Sequence, residues 1–264
     1  MSSWDPGQYE RFADHRSRPF VELLARVAAE APRLVIDLGC GNGPLTLLAA
    51  QRWPDARVIG VDSSPDMLAR ARTLDTAGRV EWGQADIAEY PIGAAGPPDV
   101  VLSNAALQWV PTHRELIPGW LGQLAPGGWF AMQVPRNFAA PSHRLIRDAA
   151  ADHPRRAQLL ALLPDDPVDS PAGYADLLAT GCAHIDVWET SYLQILDPAG
   201  QQPNPVLEWV KGTALRPLLD ALPASEHDAF LADLAGRYAA AYPRRPYGVP
   251  FAFRRIFAVG RRAR

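Results

Sequence analysis

Apolar and polar positions along this chain follow two rhythms. Short runs rich in Val, Ile and Leu recur at Arg33–Leu38, Arg57–Asp62, Val80–Gly83, Val100–Asn104 and Trp129–Val134. Such runs predict strands buried on both faces, as in a parallel sheet covered by helices. Between them, helix signals appear. Ser64-Pro65 puts an N-cap ahead of a proline at the first helical position. Thr112 and Glu115 have capping-box spacing, and Leu116, Trp120 and Leu124 then recur at helical intervals. Gly127-Gly128 punctuates the turn into the fifth run. This βαβ alternation predicts an α/β fold with an open, doubly wound sheet.

After Val134 the rhythm changes. Residues from about Pro135 to Gly181 read as helices and loops with several prolines, and Ala183–Ile195 contains a strand. A second helical stretch follows, with Asn204 and Ser225 as expected caps, before a final β-prone run at Phe251–Gly260. Two helical excursions flanking late strands predict a helical lid, inserted around the last strands and folded over the sheet's carboxyl edge. The 264 residues, 48% of them hydrophobic, suffice for one large domain carrying such an insertion.

Charge and cysteines narrow the function. The net charge of -3 gives no basis for a nucleic-acid or anionic-membrane partner. Lys211 is the one lysine, so the cationic side chains are otherwise arginine. Arginine forks suit bidentate carboxylate binding. Cys40 and Cys182 are too few and too far apart for a disulfide scaffold or a zinc site. Met1–Pro19 is polar and charged with no apolar signal core, and no run approaches membrane-spanning length. The expectation is a soluble cytoplasmic protein with no nucleic-acid, membrane or obligate protein partner and no metal.

The most informative segment is Val35-Ile36-Asp37-Leu38-Gly39-Cys40-Gly41-Asn42-Gly43-Pro44. An apolar strand runs into three alternating glycines ahead of a helix, an arrangement that turns tightly and admits a ligand close to the backbone. A dinucleotide fingerprint needs glycine at its sixth position, and Pro44 stands there. Acids are the better discriminator. Asp37 ends the first strand, Asp62 the second, and Asp86 follows the third. These carboxylates would repel a pyrophosphate and complement a cationic sulfonium nucleoside. Asp62 lies 21 positions after Gly41, where an acid can chelate ribose hydroxyls. Each Asp alone reads equally well as a cap or turn residue. All three at one sheet edge, where such sheets bind ligands, favour the site.

Together Asp37-Leu38-Gly39-Cys40-Gly41, Asp62, Gln84-Ala85-Asp86 and Leu124-Ala125-Pro126-Gly127-Gly128 resemble class I S-adenosylmethionine-dependent methyltransferases. The resemblance implies a Rossmann-like, mostly parallel seven-stranded sheet that binds S-adenosyl-L-methionine. It assigns Asp37 and Gly39 to the methionine part, Asp62 to the ribose, and Asp86 with Ile87 to the adenine. Gly41, Ser63 and Asn104 join the cofactor set. The enzymes that methylate base amino groups carry Asn or Asp, two prolines and an aromatic residue after strand four. This chain has Ser103-Asn104-Ala105-Ala106-Leu107-Gln108-Trp109.

A closer resemblance spans nearly the whole chain. Ser3-Trp4-Asp5-Pro6 with Tyr9, Arg16-Ser17-Arg18-Pro19, the Ser103–Val110 segment, Pro141-Ser142-His143, Leu215-Arg216-Pro217 and Phe253-Arg254-Arg255 are similar to trans-aconitate methyltransferases. That family forms a monomethyl ester on one carboxylate of a small tricarboxylate. The resemblance implies an N-terminal helical segment over 1–30 that closes over the cofactor and carries Tyr9, Phe12 and Arg18, with Arg18 a cofactor contact. It further implies a binding core at 31–135, and lid insertions with the last two strands at 136–264, as a single structural domain overall. Two positions depart from the family pattern. Asn42 stands where proline is common, and Gln194 stands where histidine is expected.

The chemistry suits a carboxylate. Such a group, with an unperturbed pKa near ~4, is ionised at neutral pH and needs no general base. The protein must align the reacting atoms and exclude water. No residue is therefore assigned as a catalytic base. A tricarboxylate needs cations, for which Arg144, Arg147, Arg216, Arg255 and His143 are candidates. Arg216 and Arg255 stand out because each lies in an otherwise apolar stretch, and buried arginines need anionic partners. The expected substrate set is Tyr9, Trp109, His143, Tyr192, Arg216 and Arg255, against the plainer reading of surface arginines and core aromatics. A methyltransferase with a natural-product acceptor, reacting at oxygen or carbon, shares every cofactor residue. A non-catalytic binding module would not need the intact glycine turn and three acids.

Overall fold

The apolar runs become neighbouring strands of one seven-stranded sheet. In chain order these are β1 (Leu34–Leu38), β2 (Arg57–Asp62), β3 (Val80–Gln84), β4 (Val100–Asn104), β5 (Trp129–Pro135), β6 (Cys182–Leu196) and β7 (Val249–Arg262). The computed structural model describes residues 13–163 and 167–264, with side chains from Ser17 onward. Its helices are α1 (Ala13–Ala25), α2 (Pro44–Arg52), α3 (Pro65–Leu74), α4 (His113–Gln123), α5 (Pro141–Asp152), α6 (Arg156–Leu160), α7 (Pro171–Ala179), α8 (Pro205–Lys211), α9 (Arg216–Ala221) and α10 (Ala224–Ala241). The described residues fall into two compact units, one of 13–135, 167–189 and 256–264, the other of 136–163 and 190–255.

The first unit carries β1 to β5, the start of β6 and the end of β7. Strand order is β3-β2-β1-β4-β5-β7-β6, and β1 to β5 pair in parallel. The reversal of order on either side of β1 and β4 is the topological switch point at which this architecture binds ligands. β7 runs against β5, because Arg262 N donates to Gly128 O at 2.8 Å and Gly127 N to Ala263 O at 2.9 Å. All five residues of β1 are buried, which explains its unbroken apolar run. Each Val, Leu or Ile fully buried there contributes about 1.5–3 kcal/mol.

Local signals hold at some helix starts and fail at others. Ser64 Oγ accepts from Met67 N at 3.3 Å, with Pro65 opening α3. The expected capping box at Thr112 is not formed. Thr112 has ψ 4°, outside the extended conformation that presents an N-cap hydroxyl, and its side chain makes no cap bond. Ser225 is likewise not a cap. Pro223, with ψ 141°, occupies that place and Ser225 lies within the first turn of α10. Asn204 caps α8 as expected, its Oδ1 accepting from Leu207 N at 3.0 Å.

The second unit is built on its own apolar cluster, which includes Ile146, Leu159, Val206, Trp209, Leu218, Phe230, Leu234, Phe251 and Phe253. Tyr238 Oη donates to Ser142 O at 2.7 Å, joining α10 to α5. Alternation along β6 buries Tyr192, Gln194 and Leu196 while Leu193 is 66% exposed. The three buried residues therefore share one face. The helical stretch read from Pro135 to Gly181 is divided, since α7 belongs with the sheet unit. Among the described residues no helix is long and apolar enough to cross a membrane.

Candidate active site

The glycine turn between β1 and α2 is shaped by close approach. Gly39 has φ +80°, and a Cβ there would overlap the Cβ of Ala106. Gly41 has φ +56° and faces open space. A side chain at the first would push the turn off the segment that follows β4, while the second leaves main chain accessible to a ligand. Asp37, 3% exposed, sits beneath the turn and accepts from Thr46 Oγ1 at 2.6 Å. Burial pushes its carboxyl up to about 6, against the lowering effect of the Thr46 hydrogen bond, and the Asp62 charge adds to the rise. The same burial, with Asp37 and Asp62 nearby, drives the Cys40 thiol far up, so Cys40 is an inert packing group.

Asp62 ties the second strand to this turn. Its Oδ2 accepts from Gly41 N and its Oδ1 from Ser64 N, both at 2.9 Å. Each oxygen keeps a further lone pair. Ser63 is exposed beside it. Asp86 is also exposed, and its Oδ1 accepts from Ala88 N at 2.8 Å in a local turn. Ile87 is buried against the glycine turn. At the end of β4, Asn104 Oδ1 is buried with no hydrogen-bond partner. Ala105 then takes φ 54°, a left-handed conformation costly for a non-glycine residue. Ser103 Oγ donates to Leu38 O at 2.8 Å, bracing β4 against β1. Trp109 closes a short 3-10 turn, Leu107–Trp109, and is 46% exposed.

Arg18 lies on α1, with its side chain 69% exposed and its Nε 2.8 Å from Glu22. Tyr9 and Phe12 lie outside the described residues. The remaining expected residues belong to the second unit. Tyr192 is buried at 6% exposure. Arg255 is 4% exposed, its Cζ 4.7 Å from the centre of the Phe253 ring. Arg216 opens α9 with a side chain 17% exposed and its Nε 4.0 Å from Asp220. His143 does not serve as a cation near neutral pH. Its ring packs on Phe138 with centroids 5.3 Å apart, and burial pushes its pKa down to about 4. Its Nδ1 lies 3.1 Å from Ser142 Oγ. Gln194 is 4% exposed and its Oε1 has no partner.

Comparison with known proteins decides the family. Residues 35–128 match the methyltransferase-domain family. The trans-aconitate 2-methyltransferase of Rhodococcus jostii is 53% identical to this chain, over 97% of it and 98% of the relative. That of Streptomyces coelicolor is 49% identical, over 98% of this chain and 87% of the relative. The chain belongs to the trans-aconitate 2-methyltransferase family. Solved structures agree on the fold alone. The YcgJ protein from Bacillus subtilis superposes with a TM-score of 0.57 at 15% identity, over 95% of this chain and 99% of the other. A Haemonchus contortus phosphoethanolamine N-methyltransferase gives 0.55 at 16% identity, over 94% and 53%.

The family's cofactor fits the residues present. Asp62 binds the open glycine turn, buried Asp37 lies on the strand leading into it, and Asp86 precedes Ile87, which packs against Gly39; acids so placed suit a cation attached to a nucleoside. The unpartnered Asn104 Oδ1 is an acceptor awaiting a donor. No cluster of His, Cys, Asp or Glu able to hold a metal ion occurs among the described residues. In this trans-aconitate 2-methyltransferase family member, Thr46 supports Asp37 without having stood out in the sequence. Thr46 lies nine positions after Asp37, in the first turn of α2, and that offset from the acid of β1 is its available signal.

Proposed function

We propose that the protein forms a monomethyl ester on one carboxylate of trans-aconitate, with S-adenosyl-L-methionine as methyl donor. The observation that carries this is the 53% identity to a protein of that name across 97% of the chain. That match includes the second unit, which lies outside the methyltransferase-domain match. When bound, the cofactor supplies an electrophilic methyl group on a cationic sulfur. The chain's own work is to bind, orient and dehydrate. Asp62 and Ser63 hold the ribose, Asp86 and Ile87 the adenine, and Asp37, Gly39, Gly41 and Asn104 the methionine part, with Arg18 a further contact. Arg216 and Arg255 each grip a carboxylate that does not react, and Tyr192, Trp109, Tyr9 and neutral His143 complete the acceptor set. The acceptor arrives ionised, so no base is required. We also infer a cytoplasmic setting, supported by two free cysteines.

The test is a panel of acceptors offered with methyl-labelled S-adenosylmethionine. Trans-aconitate should take label at least about tenfold faster than phenols, amines or monocarboxylates, as expected when remote binding energy orients the reacting group. Equal or faster labelling of a phenol or amine would contradict the proposal.

A further inference from the structure

Asn137 follows two residues after the end of β5 and is 1% exposed. Its Oδ1 accepts from Arg254 N at 2.8 Å. That bond fixes the amide's orientation, because the flipped form would set an NH2 group against a main-chain N–H. Nδ2 is therefore the other end of the amide, and it is buried with no hydrogen-bond partner. An unmatched buried donor costs stability, and a leucine of similar volume would avoid that cost. A donor kept in this condition has the signature of one reserved for a ligand.

The neighbouring chemistry names the ligand. Asn137 O accepts from Ala140 N at 2.8 Å, which carries the chain directly into α5. Ala140 supplies no side-chain cap and the first turn of α5 contains no acid, so that helix end favours an anion. Arg136 N donates to Arg254 O at 2.9 Å. Asn137 and Arg136 thus grip both main-chain groups of Arg254, one residue before the buried Arg255. A donor amide, an uncapped helix start and a buried guanidinium beside one short loop suit a carboxylate.

We propose that Asn137 is an acceptor-binding residue whose Nδ2 donates to a non-reacting carboxylate of the acceptor. The proposal rests on the carboxylate-acceptor reading above and adds a neutral donor to its two arginines. Such a donor recognises carboxylate geometry without a further buried charge.

Asn137→Asp is the sharpest test, because it keeps the acceptor facing Arg254 N and replaces only the donor. With trans-aconitate, KM should rise about thirtyfold or more, while the cofactor Kd stays within about twofold and the melting temperature holds. An acceptor bearing a carboxamide in place of one non-reacting carboxylate should lose less on this substitution. Should the aspartate variant melt below assay temperature, Asn137→Ser should raise KM about tenfold with unchanged cofactor affinity. A wild-type KM in either folded variant, or equal losses for acceptor and cofactor, overturns the assignment of Asn137. Wild-type protein that leaves all carboxylates unmethylated overturns the underlying function as well, so the two failures are distinguishable.

Discussion

Thr46 donates its hydroxyl to Asp37 Oδ2 at 2.6 Å, inside the core beneath the glycine turn. The bond offsets part of the cost of burying a carboxylate that desolvation has pushed up to about 6. A folded-state pKa above the unfolded value of 3.8 means the native protein binds this proton more tightly. Asp37 therefore costs stability as pH rises from about 4 to about 6, and the full cost is present above that window. Asp37→Asn should raise unfolding free energy at pH 8 by about 3 kcal/mol and leave it nearly unchanged at pH 4. Denaturation of both proteins across pH checks this, and equal curves would contradict it. Cofactor affinity should fall in the same variant.

Asp62 offers a second test, because it already orders Gly41 and Ser64 through their N–H groups. Asp62→Ala should weaken S-adenosylmethionine binding by about 1.5–3 kcal/mol, the scale for hydrogen bonds to a charged acceptor. Calorimetry on the folded variant reads the effect. Wild-type affinity would remove Asp62 from the site.

The two arginines should act on the acceptor alone. Arg216→Ala and Arg255→Ala should each cost about 2–5 kcal/mol in acceptor kcat/KM and leave cofactor affinity unchanged. Arg255→Ala should also lower the melting temperature, since the guanidinium stacks on Phe253. Arg→Lys at either position should rescue only in part, because an ammonium lacks the planar fork. Alanine variants that methylate trans-aconitate normally would displace the carboxylate clamp from these residues.

Gln194 is buried on β6 and its Oε1 has no partner. Gln194→Leu removes that unmatched oxygen, so stability should rise by about 1 kcal/mol or hold. Acceptor kcat/KM should fall about tenfold. A stabilised variant with unchanged kinetics would make Gln194 a tolerated core residue.

What the sequence disclosed depended on range. The strand runs and the Gly39–Gly41 turn were legible because periodicity and glycine chemistry act within a few residues. Thr112 and Ser225 misled because a cap needs a backbone angle as well as a residue type, and Pro223 supplies that angle instead. His143 reads as a cation from residue type alone, whereas burial against Phe138 keeps it neutral. Asn137 carried no signal, since its meaning lies in a bond to Arg254, 117 positions away. The change of rhythm after Val134 is local and falls at the 135/136 boundary, whereas nothing local marks the membership of α7 in the sheet unit.

A carboxylate acceptor, ionised at neutral pH, has its own pH signature. With an ionised acceptor, turnover should show no ascending limb between about pH 8 and 10, where a phenol or thiol would titrate. A rate climbing about tenfold per pH unit there would rule out a carboxylate acceptor.

The most direct measurement is the identity of the methylated product. Purified protein, trans-aconitate and methyl-labelled S-adenosylmethionine should yield label in an ester that alkali releases as labelled methanol, with one cofactor consumed per ester formed. Label held in an alkali-stable product, or cofactor left unconsumed in the presence of trans-aconitate, would contradict the account.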